Sequence, residues 1–280
     1  MIGALIIVFR EVIEAGLIIG IVLAVTRGVP HRGAWVFGGV ASGVLGACLV
    51  AAFAGALSNA FAGVGQELFN AFVLALAVVM LGWHNIWMAR HGRELANELR
   101  VVGQSVVQGS RSLMALAIVI AVAVLREGSE VALFLYGLAA SGGSSSASML
   151  LGGALGLALG GGVSALMFFG LVTIPTRHLF SVTSALITFL AAGMASQCVA
   201  FLQQAGLLNA FSATLWDTSA ILPEESLPGR ALHALFGYTD QPSGMQLIVY
   251  LAVLLTIFAL TRMTGAPAAA VQRVGGVSGA

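Results

Sequence analysis

Charged residues are scarce in this chain of 280 residues, and lysine is absent. Charged side chains make up 8% of the composition and hydrophobic side chains 59%, which lies far from the averages of soluble domains. The basic residues are all arginines, most of them lie between apolar stretches, and the formal net charge is only +1. The composition therefore predicts a membrane protein and gives no support to a nucleic-acid-binding surface.

Cysteine is also rare, with Cys48 and Cys198 as its two occurrences, both inside apolar stretches. This spacing gives no support to a disulfide framework or to a thiolate metal cluster. A cleaved signal peptide is not expected either, because no basic region precedes the first apolar stretch and Arg10, Glu11 and Glu14 interrupt it. We expect that stretch to be retained as a membrane span.

Apolar stretches long enough to cross a bilayer recur along the chain. A spanning helix needs about 20 mainly apolar residues. The stretches that meet this criterion are residues 2–25, 35–57, 69–90, 114–139, 149–172, 180–202 and 245–261. They are continuous rather than alternating with a period of two, which favours helices over a membrane barrel. The predicted fold is an all-α polytopic membrane protein with seven transmembrane helices.

The arginines between these stretches predict the orientation of the chain. Alternate connections carry nearly all of them, namely Arg27, Arg32, Arg90, Arg93, Arg100, Arg111, Arg177, Arg262 and Arg273. The positive-inside rule assigns those connections to the cytoplasm, with the N-terminus in the periplasm and the C-terminus in the cytoplasm. Within a single membrane domain, 1–280, we then expect a cytoplasmic linker helix at 91–112, a periplasmic loop at 203–244 and a cytoplasmic tail at 263–280.

One short charged sequence occurs twice, 116 positions apart, in the first and the fourth predicted spans. The two copies are Arg10-Glu11-x-x-Glu14 and Arg126-Glu127-x-x-Glu130. The first span would run inward and the fourth outward. Residues 1–90 and 113–202 would then form two inverted three-helix repeats, followed by a seventh helix at 245–262. Inverted repeats with a site at their interface are typical of secondary transporters.

The two motifs place six ionisable side chains inside apolar helices. Each charge costs about 2.5–3.5 kcal/mol at the centre of a span, so these residues need a compensating role. Two arginines against four glutamates leave two excess negative charges, which protons or a multivalent cation could offset. Carboxylates are hard ligands that suit Mg, Ca, Mn or ferric iron. We predict metal binding by Glu11, Glu14, Glu127 and Glu130, with Arg10 and Arg126 holding them.

Other functions of the motifs are also open. Buried ion pairs could serve only to fix the register of the helices. A membrane redox or metalloenzyme subunit, or a metal sensor, could use the same carboxylates. The sequences Glu-x-x-His and His-Glu-x-x-His do not occur in the chain, so a di-iron or zinc-protease core has little support. We expect a transporter rather than an enzyme.

Several residues outside the motifs are weaker candidates. His84, near the cytoplasmic end of the third predicted span, is a possible exit ligand. Met194 and Cys198 lie one helical turn apart and could form a soft-metal pair or ordinary core. The periplasmic loop offers cations an acidic approach through Asp217, Glu224 and Glu225.

The doubled motif resembles the paired signature of the oxidase-dependent iron permease family. The segment Trp216-Asp217-Thr218-Ser219 and the later Gly237-Tyr238 resemble its bacterial members. The resemblance implies iron as the transported substrate, no organic cofactor, and uptake across the inner membrane. It also implies that a periplasmic oxidase or iron-binding protein delivers the iron, as ferric ion after oxidation. The family commonly has Gly-Leu inside the motif, whereas this chain has Val12-Ile13 and Gly128-Ser129.

Overall fold

A computed structural model of the chain describes residues 1–60, 66–141, 145–170 and 176–264, without the side chains at 57–60, 88–93, 95–96, 176–180, 227, 234 and 264. These ranges form eight helices: α1 Ile2–Val25, α2 Arg32–Ala60, α3 Gln66–Val107, α4 Leu113–Ala140, α5 Ser146–Phe168, α6 Thr176–Gln204, α7 Leu227–Phe236 and α8 Gly244–Thr264. The strand-like pairing in the same ranges is limited to one isolated bridge, Thr214 to Ser243. The predicted all-α class is confirmed, and most of the predicted tail lies outside the described residues.

Five helices contain segments that are long and apolar enough to cross a membrane. They are Arg32–Ala56 in α2, Gln66–Trp87 in α3, Ser146–Phe168 in α5, Ser181–Gln204 in α6 and Gly244–Met263 in α8. Helices α1 and α4, with 24 and 28 residues, have a similar length, but each contains one copy of the charged motif. This set of apolar helices agrees with the expected multi-pass membrane protein.

The largest difference from the sequence prediction is in α3, which continues to Val107 instead of ending near residue 90. Its 42 residues give a length of about 63 Å. Leu99 and Val106, which we expected on a separate linker helix, are buried against Val22 of α1 and Leu116 of α4. The apolar stripe of this segment therefore packs on the helix bundle as a continuation of α3.

Glycines allow two pairs of helices to approach closely, α1 with α5 and α2 with α4. A Cβ atom added at Gly156 of α5 would lie 2.7 Å from the carbonyl oxygen of Leu5 in α1. A Cβ atom at Gly43 of α2 would lie 2.7 Å from the carbonyl oxygen of Ala121 in α4. Both distances are shorter than real Cβ contacts, so only glycine permits this approach. The small residues thus lie in helix interfaces, as is common in membrane bundles.

Two buried apolar clusters occupy opposite ends of the bundle. The first apolar cluster joins the start of α1 to the end of α4 and includes Ile7 and Phe134. The second apolar cluster joins the end of α1 to the start of α4 and includes Val22 and Ile120. Helices α1 and α4 are therefore antiparallel. Because each motif lies in the middle of its helix, both motifs lie between the two clusters.

Candidate metal centre

The motif of α1 is a tightly paired group of three side chains. Arg10 Nη1 lies 2.9 Å from Glu11 Oε1, and Arg10 Nη2 lies 2.9 Å from Glu14 Oε1. The arginine side chain is only 2% exposed. Arg10 and Glu14 are four residues apart and so share one face of the helix. The guanidinium therefore holds both carboxylates in place.

The motif of α4 has the same sequence spacing but a looser arrangement. Arg126 Nε lies 3.2 Å from Glu130 Oε1 and 3.8 Å from Glu127 Oε1, and the arginine side chain is 38% exposed. Its guanidinium carbon lies 4.5 Å from the centre of the Trp87 ring in α3. An arginine over an aromatic face at this distance is attracted by the ring. The fourth helix therefore holds its arginine by one close carboxylate and one aromatic ring.

His84 of α3 joins the two motifs. Its Nε2 atom lies 3.2 Å from Glu14 Oε2 and 4.0 Å from Glu11 Oε2. Its Nδ1 atom lies 2.5 Å from Glu130 Oε2. The sequence placed this histidine near the cytoplasmic end of a span, but α3 continues to Val107, so His84 lies within the helix and beside both motifs. Each ring nitrogen thus faces a carboxylate from a different helix.

Four buried side chains converge closely enough to hold one ion. Glu11, His84, Glu127 and Glu130 each offer one ligand atom, and these atoms all lie within 4.8 Å of one another. Opposite ligands of a single bound cation are separated by up to about 5 Å when each bond is 2.3–2.6 Å long. Glu14 is not part of this group, although its carboxylate contacts Arg10 and His84. Three of the four predicted glutamates are therefore in the cluster.

Two carboxylate oxygens at the centre lack a donor. Glu11 Oε2 and Glu127 Oε2 are buried and accept no hydrogen bond from any described residue. A buried acceptor without a donor is unfavourable, and ionised carboxylates close to one another repel. A cation between them would satisfy both oxygens and offset their charge. The mixture of carboxylate and imidazole donors suits first-row transition metals as well as harder ions.

Residues 203–244, the predicted periplasmic loop, are called the outer segment here. Its acidic residues have partners of their own. Asp217 accepts hydrogen bonds from Ser219 and Gln241. These hydrogen bonds, chiefly the one from the Ser219 hydroxyl, lower the pKa of Asp217. Glu224 Oε1 lies 3.1 Å from His233 Nδ1, and Glu225 is exposed. These contacts lie within the outer segment and do not join its acids to the buried cluster.

Met194 and Cys198 pack as core residues. Met194 belongs to the first apolar cluster, and its methyl group is where a Cβ atom added at Gly137 of α4 would lie. The Cys198 thiol donates to the carbonyl oxygen of Ala71 at 3.2 Å. The ordinary-core interpretation of this pair therefore fits the contacts better than a soft-metal site does.

Sequence reasoning missed α7, which lies inside the predicted periplasmic loop. The signals for it were present: the Ser226 hydroxyl caps the helix by accepting from the backbone N–H of Gly229, Pro228 follows in the first turn, and Gly237 ends the helix with φ 68°. Gly237 contacts Gly193 of α6 backbone to backbone. The outer segment is thus fastened to the bundle through two glycines.

The two short sequences that carried the family resemblance, Trp216-Asp217-Thr218-Ser219 and Gly237-Tyr238, contact each other. The Thr218 and Tyr238 hydroxyls lie 2.6 Å apart. The Tyr238 hydroxyl also donates to the carbonyl oxygen of Leu222 at 2.9 Å. These hydrogen bonds hold the outer segment together. The residues that carry the resemblance in this segment therefore have a structural role.

Comparison of the sequence with known proteins identifies one family. The Iron permease FTR1 family matches residues 1–269. This chain belongs to that family. It is similar to the protein named ferrous iron permease EfeU from Shigella sonnei. The two are 34% identical over 270 residues, which cover 94% of this chain and 96% of that protein. The Escherichia coli O6:H1 protein of that name is 35% identical over 271 residues, with the same shares covered.

A third relative of that name, from Shigella flexneri, is 36% identical over 207 residues, which cover 72% of this chain and 87% of that protein. No solved structure matches this chain significantly. The names of these relatives denote permeases rather than enzymes.

Proposed function

We propose that this chain is a permease that carries iron from the periplasm to the cytoplasm through the inner membrane. One observation carries the proposal: Glu11, His84, Glu127 and Glu130, from three different helices, offer ligand atoms within 4.8 Å of one another in the buried middle of the bundle. Membership of an iron permease family then favours iron among the cations that such a site could bind. Iron is the cargo here.

We further propose that α1 to α6 and α8 cross the membrane as one domain. Helices α1–α3 and α4–α6 would be inverted repeats, with the N-terminus in the periplasm and the C-terminus in the cytoplasm. The antiparallel arrangement of α1 and α4 supports this topology, and so does the exchange of partners: α1 packs along α5, while α4 packs along α2. Charged residues in α1 and α4 are tolerated in a span when they face a polar bundle interior.

The two apolar clusters contain equivalent positions of the internal repeat. The separation of 116 positions that relates the motifs also relates Ile18 of the second cluster to Phe134 of the first, and Val22 to Leu138. Each cluster begins about 6 Å along the helix from a motif glutamate, at 1.5 Å per residue. The metal site is thus closed towards both sides of the membrane, and transport requires one cluster to open at a time, as in alternating access.

The residues of the centre have different roles in this proposal. Glu11, Glu127 and Glu130 bind the ion together with His84. Arg10 is the fixed counter-charge of the α1 motif and keeps Glu14 beside His84. Arg126 offsets the charge of the α4 motif. Asp217, Glu224 and Glu225 form an acidic approach on the outer face, which raises the local cation concentration without binding the ion in the buried centre.

We propose ferric iron as the first candidate for the transported state and ferrous iron as the second, on the basis of the donors. Three carboxylates favour the hard ferric ion, delivered by a periplasmic oxidase or iron-binding protein. The imidazole of His84 favours ferrous iron as the second candidate, and the relatives are named for ferrous iron. Uptake of ⁵⁵Fe into proteoliposomes, measured anaerobically with ferrous iron and aerobically with a soluble ferric chelate, distinguishes the two states.

The ligand role is tested by Glu130→Gln in the same uptake assay. We expect the uptake rate to fall at least about 10-fold with normal accumulation of the protein, because losing a ligand of a buried cation weakens its binding. Glu98→Gln, the same substitution at an exposed position of α3, should have no effect. Unchanged uptake by Glu130→Gln would show that the proposed site is wrong. Substrate turnover without iron inside the vesicles would instead indicate an enzyme.

A further inference from the structure

The two motif arginines differ in how firmly they are held, although their sequence positions are equivalent. Arg10 is 2% exposed and contacts both glutamates of its motif through its terminal nitrogens at 2.9 Å. Arg126 is 38% exposed, and its contact with Glu130 is made by Nε at 3.2 Å. An arginine as buried as Arg10 cannot leave its carboxylates without becoming an unpaired buried charge. A half-exposed arginine such as Arg126 can leave its carboxylates without becoming an unpaired buried charge.

Trp87 offers Arg126 a second partner outside the carboxylate cluster. The guanidinium carbon lies 4.5 Å from the centre of the indole ring, within the range of a cation–π contact. Trp87 follows His84 by three residues in α3, and residues at this spacing are neighbours on a helix surface. The indole ring therefore lies next to the metal centre, on the helix that supplies the histidine ligand.

A bound cation and Arg126 compete for the same carboxylates. Glu130 is both a candidate ligand and the close carboxylate partner of this arginine. A cation in the cluster repels the guanidinium, and the repulsion is stronger in a buried site than in water. The aromatic face keeps the displaced arginine favourably placed. Without it, the partners left to the guanidinium among the described residues are the two carboxylates of its own motif, and the cation has to displace it from them.

We propose that Trp87 is a positioning residue for metal binding. Its indole ring holds the guanidinium of Arg126 beside the α4 motif when an incoming ion displaces this arginine from the carboxylates. The proposal rests on the proposed function, since it assumes that the glutamate and histidine cluster binds metal. It makes the α4 motif the exchangeable half of the site and the α1 motif the fixed half.

The test is titration of purified protein in detergent with ferrous iron under anaerobic conditions. We expect Trp87→Leu to weaken ferrous iron binding about 5- to 10-fold and Trp87→Phe, which keeps an aromatic face, to remain within about 2-fold of wild type. The matched control is Trp83→Leu, one turn earlier in α3, where the tryptophan is 72% exposed. That variant should bind iron normally. If Trp87→Leu does not accumulate, Trp87→Met replaces it, because methionine restores bulk without an aromatic face.

A double-mutant cycle separates positioning from a merely structural effect. In an Arg126→Gln background, where no guanidinium remains, Trp87→Leu should cause no additional loss of iron affinity. An equal loss in both backgrounds, or normal affinity of Trp87→Leu with wild-type Arg126, would overturn the proposed role of Trp87 and leave the metal site intact. If the wild-type protein binds neither ferrous iron nor a soluble ferric chelate, the proposed function is overturned and, with it, the role of Trp87.

Discussion

Replacing Glu127 by glutamine should strongly weaken metal binding without weakening the fold. The carboxylate is buried, its Oε2 atom accepts no hydrogen bond from the described residues, and Arg126 Nε is 3.8 Å away. The carboxylates of Glu11 and Glu130 lie beside it. Removing its charge therefore lowers repulsion and breaks no close ion pair, so we expect Glu127→Gln to unfold at the wild-type temperature or above it in the absence of metal.

The expected loss of binding is large enough to measure. A ligand at 100 times its Kd stabilises the native state by about 2.7 kcal/mol. If losing one of the four ligands weakens binding about 100-fold, the same metal concentration contributes only about 0.4 kcal/mol. At about 2 °C per kcal/mol for a chain of this size, the metal-induced rise in Tm falls from about 5 °C to about 1 °C. Thermal unfolding of purified protein in detergent, with and without ferrous iron, measures both effects.

Glu11→Gln is the matched comparison. This glutamate is equivalent in the repeat, but its carboxylate lies 2.9 Å from the buried Arg10. Removing one partner of a buried ion pair costs about 3–5 kcal/mol. We therefore expect Glu11→Gln to lose both metal binding and stability without metal. The reasoning is refuted if Glu127→Gln is the less stable of the two variants, or if it keeps the full metal-induced rise in Tm.

Two further outcomes test the outer segment and the helix packing. Burial alone would lower the pKa of His233, but its hydrogen bond and ion pair with Glu224 raise it. The pair therefore stabilises fully below about pH 6.5 and loses its contribution as the pH rises through the raised pKa, so the Tm difference between wild type and Glu224→Gln should shrink at alkaline pH. Gly43→Leu should prevent accumulation in the membrane, measured by immunoblotting, because Ala121 and Val124 fill the space its side chain needs, whereas Gly38→Leu, with open space, should accumulate normally.

The apolar runs predicted most helix positions because hydrophobic length is decided locally. The first predicted span, residues 2–25, agrees with α1 Ile2–Val25. The end of α3 was not predictable in this way, because residues after 90 are polar overall. Their helix is held by the burial of Leu99 and Val106 against other helices, which only the tertiary structure reveals. The position of His84 between the motifs depends on the same packing.

The residues of the candidate site were foreseen in part, and their metal-binding role stays a prediction. The doubled motif identified the charged residues, because ionised side chains in apolar helices are costly wherever they occur. The sequence treated both copies as equivalent, but the structure distinguishes Arg10 from Arg126. The difference arises from α3, where Trp87 lies over one guanidinium and His84 pairs with glutamates of both motifs. No pattern within either motif carries this information.

The length of α3 connects the candidate metal centre mechanically to the second apolar cluster. From His84 to Val107 the helix extends about 34 Å, at 1.5 Å per residue, and Val106 near its end lies in the second apolar cluster. A tilt of only about 5° about His84 would move Val107 by about 3 Å at that length. Coordination of an ion by His84 would thus act on a lever arm that ends in the second apolar cluster. Spin labels at Ser105 and Ser112 would measure the displacement.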